Sequence, residues 1–199
     1  MRGFTLIEML IVVAIIGILA TLLIPNAMSA LQKAKQKGTI KDVNTIATAL
    51  MDYVTDKGRF TGSAIHDGQI SGDNDPLIQA FQGFYLKTFP ARDQWGNYFY
   101  IYSGAEAVAG NTYGIEYPSS QGEATMGDDE FIVGSGGRDG TIDDITYDPD
   151  NPTASLYEVG TMKDFENEIA NWNGSLVIGP RSAGAGAADT GGGGTEGEG

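Results

Sequence analysis

Apolar residues change their spacing twice along this chain. The first stretch, "FTLIEMLIVVAIIGILATLLI", is apolar on every side from Phe4 to Ile24, and its one charge is Glu8. A helix over that span is about 31 Å long, enough to cross the hydrocarbon core of a bilayer. Beyond Pro25, apolar residues recur at helical spacing: Met28, Leu31, Ala34, Ile40, Val43, Ile46, Ala47, Leu50 and Val54. That spacing predicts the amphipathic half of the same helix, with Gly58 as its stop. Continuous from Phe4 to Lys57, it is about 81 Å long. Pro25 removes one backbone hydrogen bond and is expected to kink or loosen the helix at the membrane boundary, a plain break into two helices being the alternative.

After Gly58 the spacing shortens. "RFTGSAIHDGQISGDND", residues 59–75, is turn-rich and predicts loop, and "PLIQAFQGFYL" predicts a short helix or turn. Strand-like runs follow at 97–103, 111–117 and 129–135, and "NWNGSLVIGPR" predicts a turn at Asn173-Gly174 leading into a last strand. The tail from Ser182 lacks large apolar residues and is expected to be disordered. The pattern predicts an α+β protein, a long N-terminal helix packed on a small antiparallel sheet. Its divisions are a leader at 1–3, a membrane or core helix at 4–25, its amphipathic half at 26–58, a head at 59–181 and the tail at 182–199.

Charge sharpens this division. Residues 1–41 carry a net charge of +4 and residues 42–199 one of −18, within a total of −14. So acidic a head is a poor partner for nucleic acid and a plausible one for cations. There are no cysteines and a single histidine, His66, in a Gly/Asp-rich loop. Neither a nucleophile elbow nor a phosphate-binding loop occurs, so catalysis is not expected of this chain.

Glu8 is the anomaly. An ionised carboxylate deep in lipid costs about 2.5–3.5 kcal/mol, so it needs a partner or a place near the interface. A secretory signal would be shorter and end at a small-residue cleavage site, whereas Pro25 and Asn26 follow here. "GFTLIEMLIVVAIIGILATLLIPN" closely resembles the N-terminus of type IV pilins and of the pseudopilins of type II secretion. The resemblance implies that a prepilin peptidase cuts between Gly3 and Phe4 and that Phe4 becomes the N-methylated terminus. It further implies that Glu8 pairs with the Phe4 amine of a neighbouring subunit, and that Pro25 marks a segment able to melt and stretch. The leader "MRG" is very short for the family, through a minimal leader or a misplaced start. Lys33, Lys35, Lys37 and Lys41 follow the apolar run while only Arg2 precedes it, which fits poorly with the positive-inside rule. The family's orientation, head outside the cytoplasm, is followed here.

Two head motifs extend the resemblance. "FPARDQWGNYFYIYS" is similar to the D-x-W-G-x-x-Y-x-Y run of the type II secretion protein G family, matching at Asp93, Trp95, Gly96, Tyr98 and Tyr100. It predicts a tight turn feeding a strand whose tyrosines share one face. "VGSGGRDGTIDDI" resembles the calcium loop of the same pseudopilins, which assigns Ser135, Asp139, Asp143 and Asp144 as ligands. The acidic run "DFENEI" offers Asp164 or Glu166 as an alternative second cluster, with residues 141–163 as an insertion. Oxygen-rich, glycine-rich loops suit calcium, which takes about six to eight oxygens. With no disulfide available, such a clip would fix the head.

The resemblance therefore implies a structural subunit that polymerises into a periplasmic pseudopilus, anchored in the bacterial inner membrane before assembly. Its implied partners are copies of itself, the prepilin peptidase, an assembly platform with its ATPase, and minor pseudopilins. A surface type IV pilin serving adhesion, motility or DNA uptake is the alternative. A membrane-tethered calcium-binding module that never polymerises is a third reading.

Overall fold

The computed structural model describes residues 4–104, 126–142, 145, 147–148 and 151–181. Helix α1 runs unbroken over Leu6–Lys57. Thr5 caps its start, Lys57 supplies a basic residue to its last turn, and Gly58 ends it in the left-handed conformation, φ 78°, donating its N–H to Val54 O at 2.7 Å. Pro25 lies inside this helix, with helical backbone on both sides, so the chain does not break into two helices here. The carbonyl of Thr21 loses its usual partner by the chemistry of proline alone.

The head is a six-stranded sheet ordered β1-β2-β3-β5-β6-β4 among the described residues. Its strands are β1 (His66–Gln69), β2 (Tyr100–Ser103), β3 (Phe131–Ser135), β4 (Leu156–Tyr157), β5 (Ile169–Trp172) and β6 (Ser175–Pro180). A short helix α2 spans Pro76–Phe81, N-capped by Asp75. β5 and β6 form the hairpin that Asn173-Gly174 predicts, with φ 47° and 88° at the two turn residues. Asn173 also closes the end of β3, where its Oδ1 accepts from Phe131 N at 2.9 Å.

Three features depart from the sequence reading. The sheet is mixed rather than wholly antiparallel, because β4 pairs with β6 in parallel. The stretch read as loop at 59–75 contains β1, which pairs with β2 despite an Asp and a Gly within it. At the edge of a sheet, backbone pairing alone holds such a sequence. Tyr98 and Tyr100 do not share a face, because β2 begins only at Tyr100. Tyr98 borders the helix-side core and Tyr100 borders the cluster on the other face. The strand expected at 111–117 and the tail from Ser182 lie outside the described residues.

Both faces of the sheet are covered. On one face Val43, Ile46, Ala47 and Leu50 of α1 pack with Phe99, Ile101, Phe131, Val133 and Ile169. On the other, Tyr102, Ile132, Ala170 and Ile178 pack with Ile142, Ile145 and Tyr147 from the segment between β3 and β4. This explains why all five residues of β3 are buried. Alternation along a strand sends Val133 to the helix and Ile132 away from it, and each face needs its own cover.

Candidate functional site

Two places carry chemistry, the N-terminal end of α1 and the loop after β3. At the first, the sequence leaves Glu8 without a partner in its own chain, and the structure supplies one in Thr5. Glu8 Oε2 accepts from the Thr5 backbone N–H at 2.8 Å and from the Thr5 hydroxyl at 2.6 Å, while Glu8 N–H donates to Thr5 Oγ1 at 3.4 Å. This is a capping box, T-L-I-E, satisfying helix-end donors reciprocally. The signal was legible as a Thr followed three residues later by Glu, but the apolar context hid it. Phe4 is exposed beside this turn, and Gly3 lies outside the described residues. Every described side chain from Phe4 to Ile18 is exposed. Helix α1 carries an apolar stretch near its N-terminus long enough to cross a membrane.

The second place begins with Asp93. This buried carboxylate accepts from the N–H groups of Trp95 and Asn97 through Oδ1, both at 2.9 Å, which builds the tight turn. Its Oδ2 accepts from the Ser135 hydroxyl at 2.8 Å. The D-x-W-G turn and the Ser135 loop, separate motifs in the sequence, are thus one hydrogen-bonded unit. Asn97 extends it by donating from Nδ2 to Gly137 O at 3.0 Å, and Tyr100 donates its hydroxyl to Gly140 O at 3.3 Å.

The same turn fastens the head to α1. Trp95 Nε1 donates to Gln32 Oε1 at 2.7 Å, Gln94 N–H to Thr39 Oγ1 at 3.2 Å, and Gln94 Nε2 to Asp42 Oδ2 at 2.7 Å. Gly38 makes room for this, since a Cβ there would meet Gln94 Cγ at 2.8 Å. Tyr157 of β4 adds a contact to Gln36, which donates from Nε2 to its hydroxyl at 3.4 Å. Burial pushes the Tyr157 phenol upward, so it stays neutral and able to donate.

Ser135 and Asp139 share the loop, but in different settings. Ser135 is buried, its hydroxyl donating to Asp93 and accepting from Gly137 N–H at 3.2 Å. Asp139 is exposed, its Oδ1 accepting from Thr141 N–H at 3.1 Å. Asp143 and Asp144 lie outside the described residues. The run around Asp164 and Glu166 does come against the loop, through Arg138 N–H to Phe165 O at 2.8 Å. Asp164 itself caps a short turn: the N–H groups of Thr161 and Gly160 hold its carboxyl below the ordinary value. Glu166 forms an ion pair with Arg138.

Glu168, in the same run but not singled out from sequence, is fully buried and accepts from Ile145 N–H at 3.1 Å. The clue was its place two residues before Ala170, on the same face of the coming strand. Carbonyl oxygens crowd the glycines of the loop. A Cβ on Gly137 would meet Glu166 O at 2.4 Å and Asn167 O at 2.6 Å, and one on Gly136 would meet Thr141 O at 2.5 Å. The donors around the loop are hard oxygens, which suits calcium or a similar cation. Among the described residues, no three acidic, His or Cys side chains are grouped to hold a metal.

Residues 1–24 match the family described as the prokaryotic N-terminal methylation motif. Three curated proteins named "Type II secretion system core protein G" align over most of the chain. The Aeromonas hydrophila protein is 32% identical over 148 residues, covering 72% of this chain and 89% of its own. That of Escherichia coli (strain K12) is 30% identical, with 73% and 89% covered, and that of Dickeya chrysanthemi 26% identical, with 86% of each. No solved structure gives a significant match. With a methylation motif at the head of an exposed apolar helix and relatives of one name across most of its length, this chain belongs to the type II secretion system core protein G family.

Proposed function

We propose that this protein is a pseudopilin that polymerises through α1 into the periplasmic filament of a type II secretion system and helps export folded proteins. The single observation that carries the proposal is the apolar half of α1, exposed in the single chain and joined without a break to a folded head. A surface this apolar has two homes, a bilayer and the core of an assembly of like helices. The subunit waits in the inner membrane with its head in the periplasm. Prepilin peptidase cleaves after Gly3, and the assembly platform and ATPase then move the helix from lipid into the filament beside minor pseudopilins.

In that transfer Glu8 exchanges partners at low cost. Thr5 already satisfies part of its hydrogen-bonding in the single chain, so the carboxylate is tolerated before assembly. A neighbouring Phe4 amine adds the opposite charge that Thr5 lacks, which favours one register of packing. Cryo-electron microscopy and pulldown of Glu8→Ala should show a folded head that is not incorporated into filaments. Incorporation at the wild-type level would refute this assignment of Glu8.

The loop after β3 is proposed to hold calcium through Ser135 and Asp139 together with Asp143 and Asp144, or with the carbonyls of the 166–167 segment in their place. Calcium bound there would supply fixed positive charge beside the loop's hard oxygens and would clip the loop as a disulfide does. Calorimetry with calcium should give saturable binding and a melting point that EDTA lowers, both effects lost in Asp139→Ala. An EDTA-insensitive melt of the wild type would remove calcium from the account and leave the loop held by its hydrogen bonds to Asp93, Asn97, Tyr100 and Phe165.

A further inference from the structure

Three lysines stand on the bare side of α1, just beyond its apolar half. Lys33, Lys37 and Lys41 are all exposed. At about 100° per residue they fall within a stripe about 80° wide, turned away from the buried Gln32, Gln36, Thr39 and Val43 that face the head. Followed toward the N-terminus, the stripe passes through exposed Ala30 and Asn26 and enters the apolar half with no break at Pro25. Followed the other way, the first acid beside it is Asp52. The ion pairs among the described residues involve none of these lysines. Like charges four residues apart on a helix repel one another, so the stripe carries a cost that an external anion would remove.

We propose that this face rests on the anionic phospholipid headgroups of the membrane that holds the apolar half, so that α1 leans toward its lysines and carries the head above them. The proposal rests on the membrane-anchored stage of the proposed function and adds the pose of the subunit there. Continuity argues for this occupant, because the stripe runs directly on from the segment that crosses the membrane. Charge argues for it as well: the chain is +4 over residues 1–41 and −18 over residues 42–199, so an anionic surface attracts the first part and repels the second. The head packs on the other side of α1, and a lean toward the lysines keeps it clear of the lipid. Upright, the helix would leave most of this attraction unused. Lys33 lies about 14 Å and Lys41 about 26 Å past Ile24, whereas the headgroup layer is about 5–8 Å deep and its field decays over about 8 Å. A lean of about 40°, within the range of membrane helices, brings Lys33 into that layer and Lys41 to within about one Debye length of it.

The absence of cysteine makes the lean measurable in the full chain, since Thr48→Cys places one fluorophore on an exposed position of the same face. With fewer than one chain per nanodisc, energy transfer from that dye to labelled headgroups reads its height above the bilayer. Thr48 lies about 36 Å past Ile24, so a lean from about 20° to about 40° lowers it by about 6 Å. That approach is expected when phosphatidylglycerol is added to phosphatidylcholine discs, and it should vanish at high salt. Adding Lys33→Gln/Lys37→Gln/Lys41→Gln should abolish it, and Lys33→Arg/Lys37→Arg/Lys41→Arg should keep it. Equal transfer in the two lipids, or an approach that survives the glutamine changes, would overturn the proposal. An approach that follows the number of chains per disc rather than phosphatidylglycerol would assign the face to a second copy and overturn it too. A chain that enters neither kind of disc would refute the membrane-anchored stage itself, and this pose with it.

Discussion

The two halves of α1 share one backbone geometry and meet opposite surroundings. From Leu6 to Ile18 the described side chains are all exposed, whereas the second half buries Gln36, Thr39, Val43, Ile46 and Leu50 beneath its own head. Both halves are α-helical, Thr21 O opposite Pro25 lacking its usual partner, so secondary structure does not distinguish them. What differs is where the apolar surface finds cover. The second half is stabilised by its own chain, and the first by whatever solvent or neighbour the cell provides. The helix–head contact divides again: next to the apolar half it is polar, through Gln32, Gln36 and Thr39, and farther on it is mainly apolar, through Val43, Ile46, Ala47 and Leu50, with one amide bond from Asn171 to Asn44. Directional bonds fix orientation at the near end, and burial holds the far end.

The contrast can be broken from either side. Leu50→Ala should lower head stability by about 2–5 kcal/mol, read by near-ultraviolet circular dichroism of the full chain in detergent, and leave membrane association unchanged. Ile16→Asp should do the reverse, costing about 2.5–3.5 kcal/mol of insertion, read by membrane fractionation, with an unchanged head melt. If either substitution moved both readouts, the halves would not be energetically separate.

Smaller effects sharpen the division within the second half. Asp93→Ala removes the acceptor of three hydrogen bonds and should cost about 1–3 kcal/mol, while increasing hydrogen exchange at both Asn97 and Gly137. Exchange confined to the 93–97 turn would show that Ser135 does not depend on it. Trp95→Phe deletes the bond to Gln32 together with part of the ring's contact area and should cost about 1–2 kcal/mol in the same melt.

The smallest effect concerns pH. Burial alone would raise the Asp75 carboxyl. Hydrogen bonds from Ser71 N–H, Leu77 N–H and the Ser71 hydroxyl, with His66 nearby, hold it below its ordinary value instead. A depressed carboxyl contributes its stability above its unfolded pKa of about 3.9 and loses it as pH falls through the folded value. Asp75→Asn should therefore lower stability at pH 7, where the carboxylate contributes in full, and flatten the acid limb, so that the two proteins converge as pH falls below about 4. A parallel acid limb in both proteins would contradict this account of Asp75.

How much could be read beforehand follows from how local each signal is. The helix from the apolar run to Gly58, the short helix at Pro76 and the turn at Asn173-Gly174 are specified within a few neighbouring residues. β1 was not legible, because His66–Gln69 is polar and is held by pairing with a strand over thirty residues away. In the candidate site, Ser135, Asp139 and the D-x-W-G turn were visible as motifs. Their joining through Asp93 was not, since it spans forty-two positions. Glu168 escaped notice because a buried acid is recognisable only by what surrounds it.

By itself, then, the sequence determined what depends on local covalent chemistry and periodicity: the helix and its stop, the apolar half that requires cover, the charge division and the processing motif. Tertiary structure alone decided which distant groups meet. It gave Asp93 to Ser135, Trp95 to Gln32 and Tyr157 to Gln36, and set Ile142, Ile145 and Tyr147 over the second face of the sheet. The physical reason is range. A turn or cap is settled by bonds within one or two turns of chain, whereas a buried hydrogen bond between remote residues exists only once packing has excluded water from both.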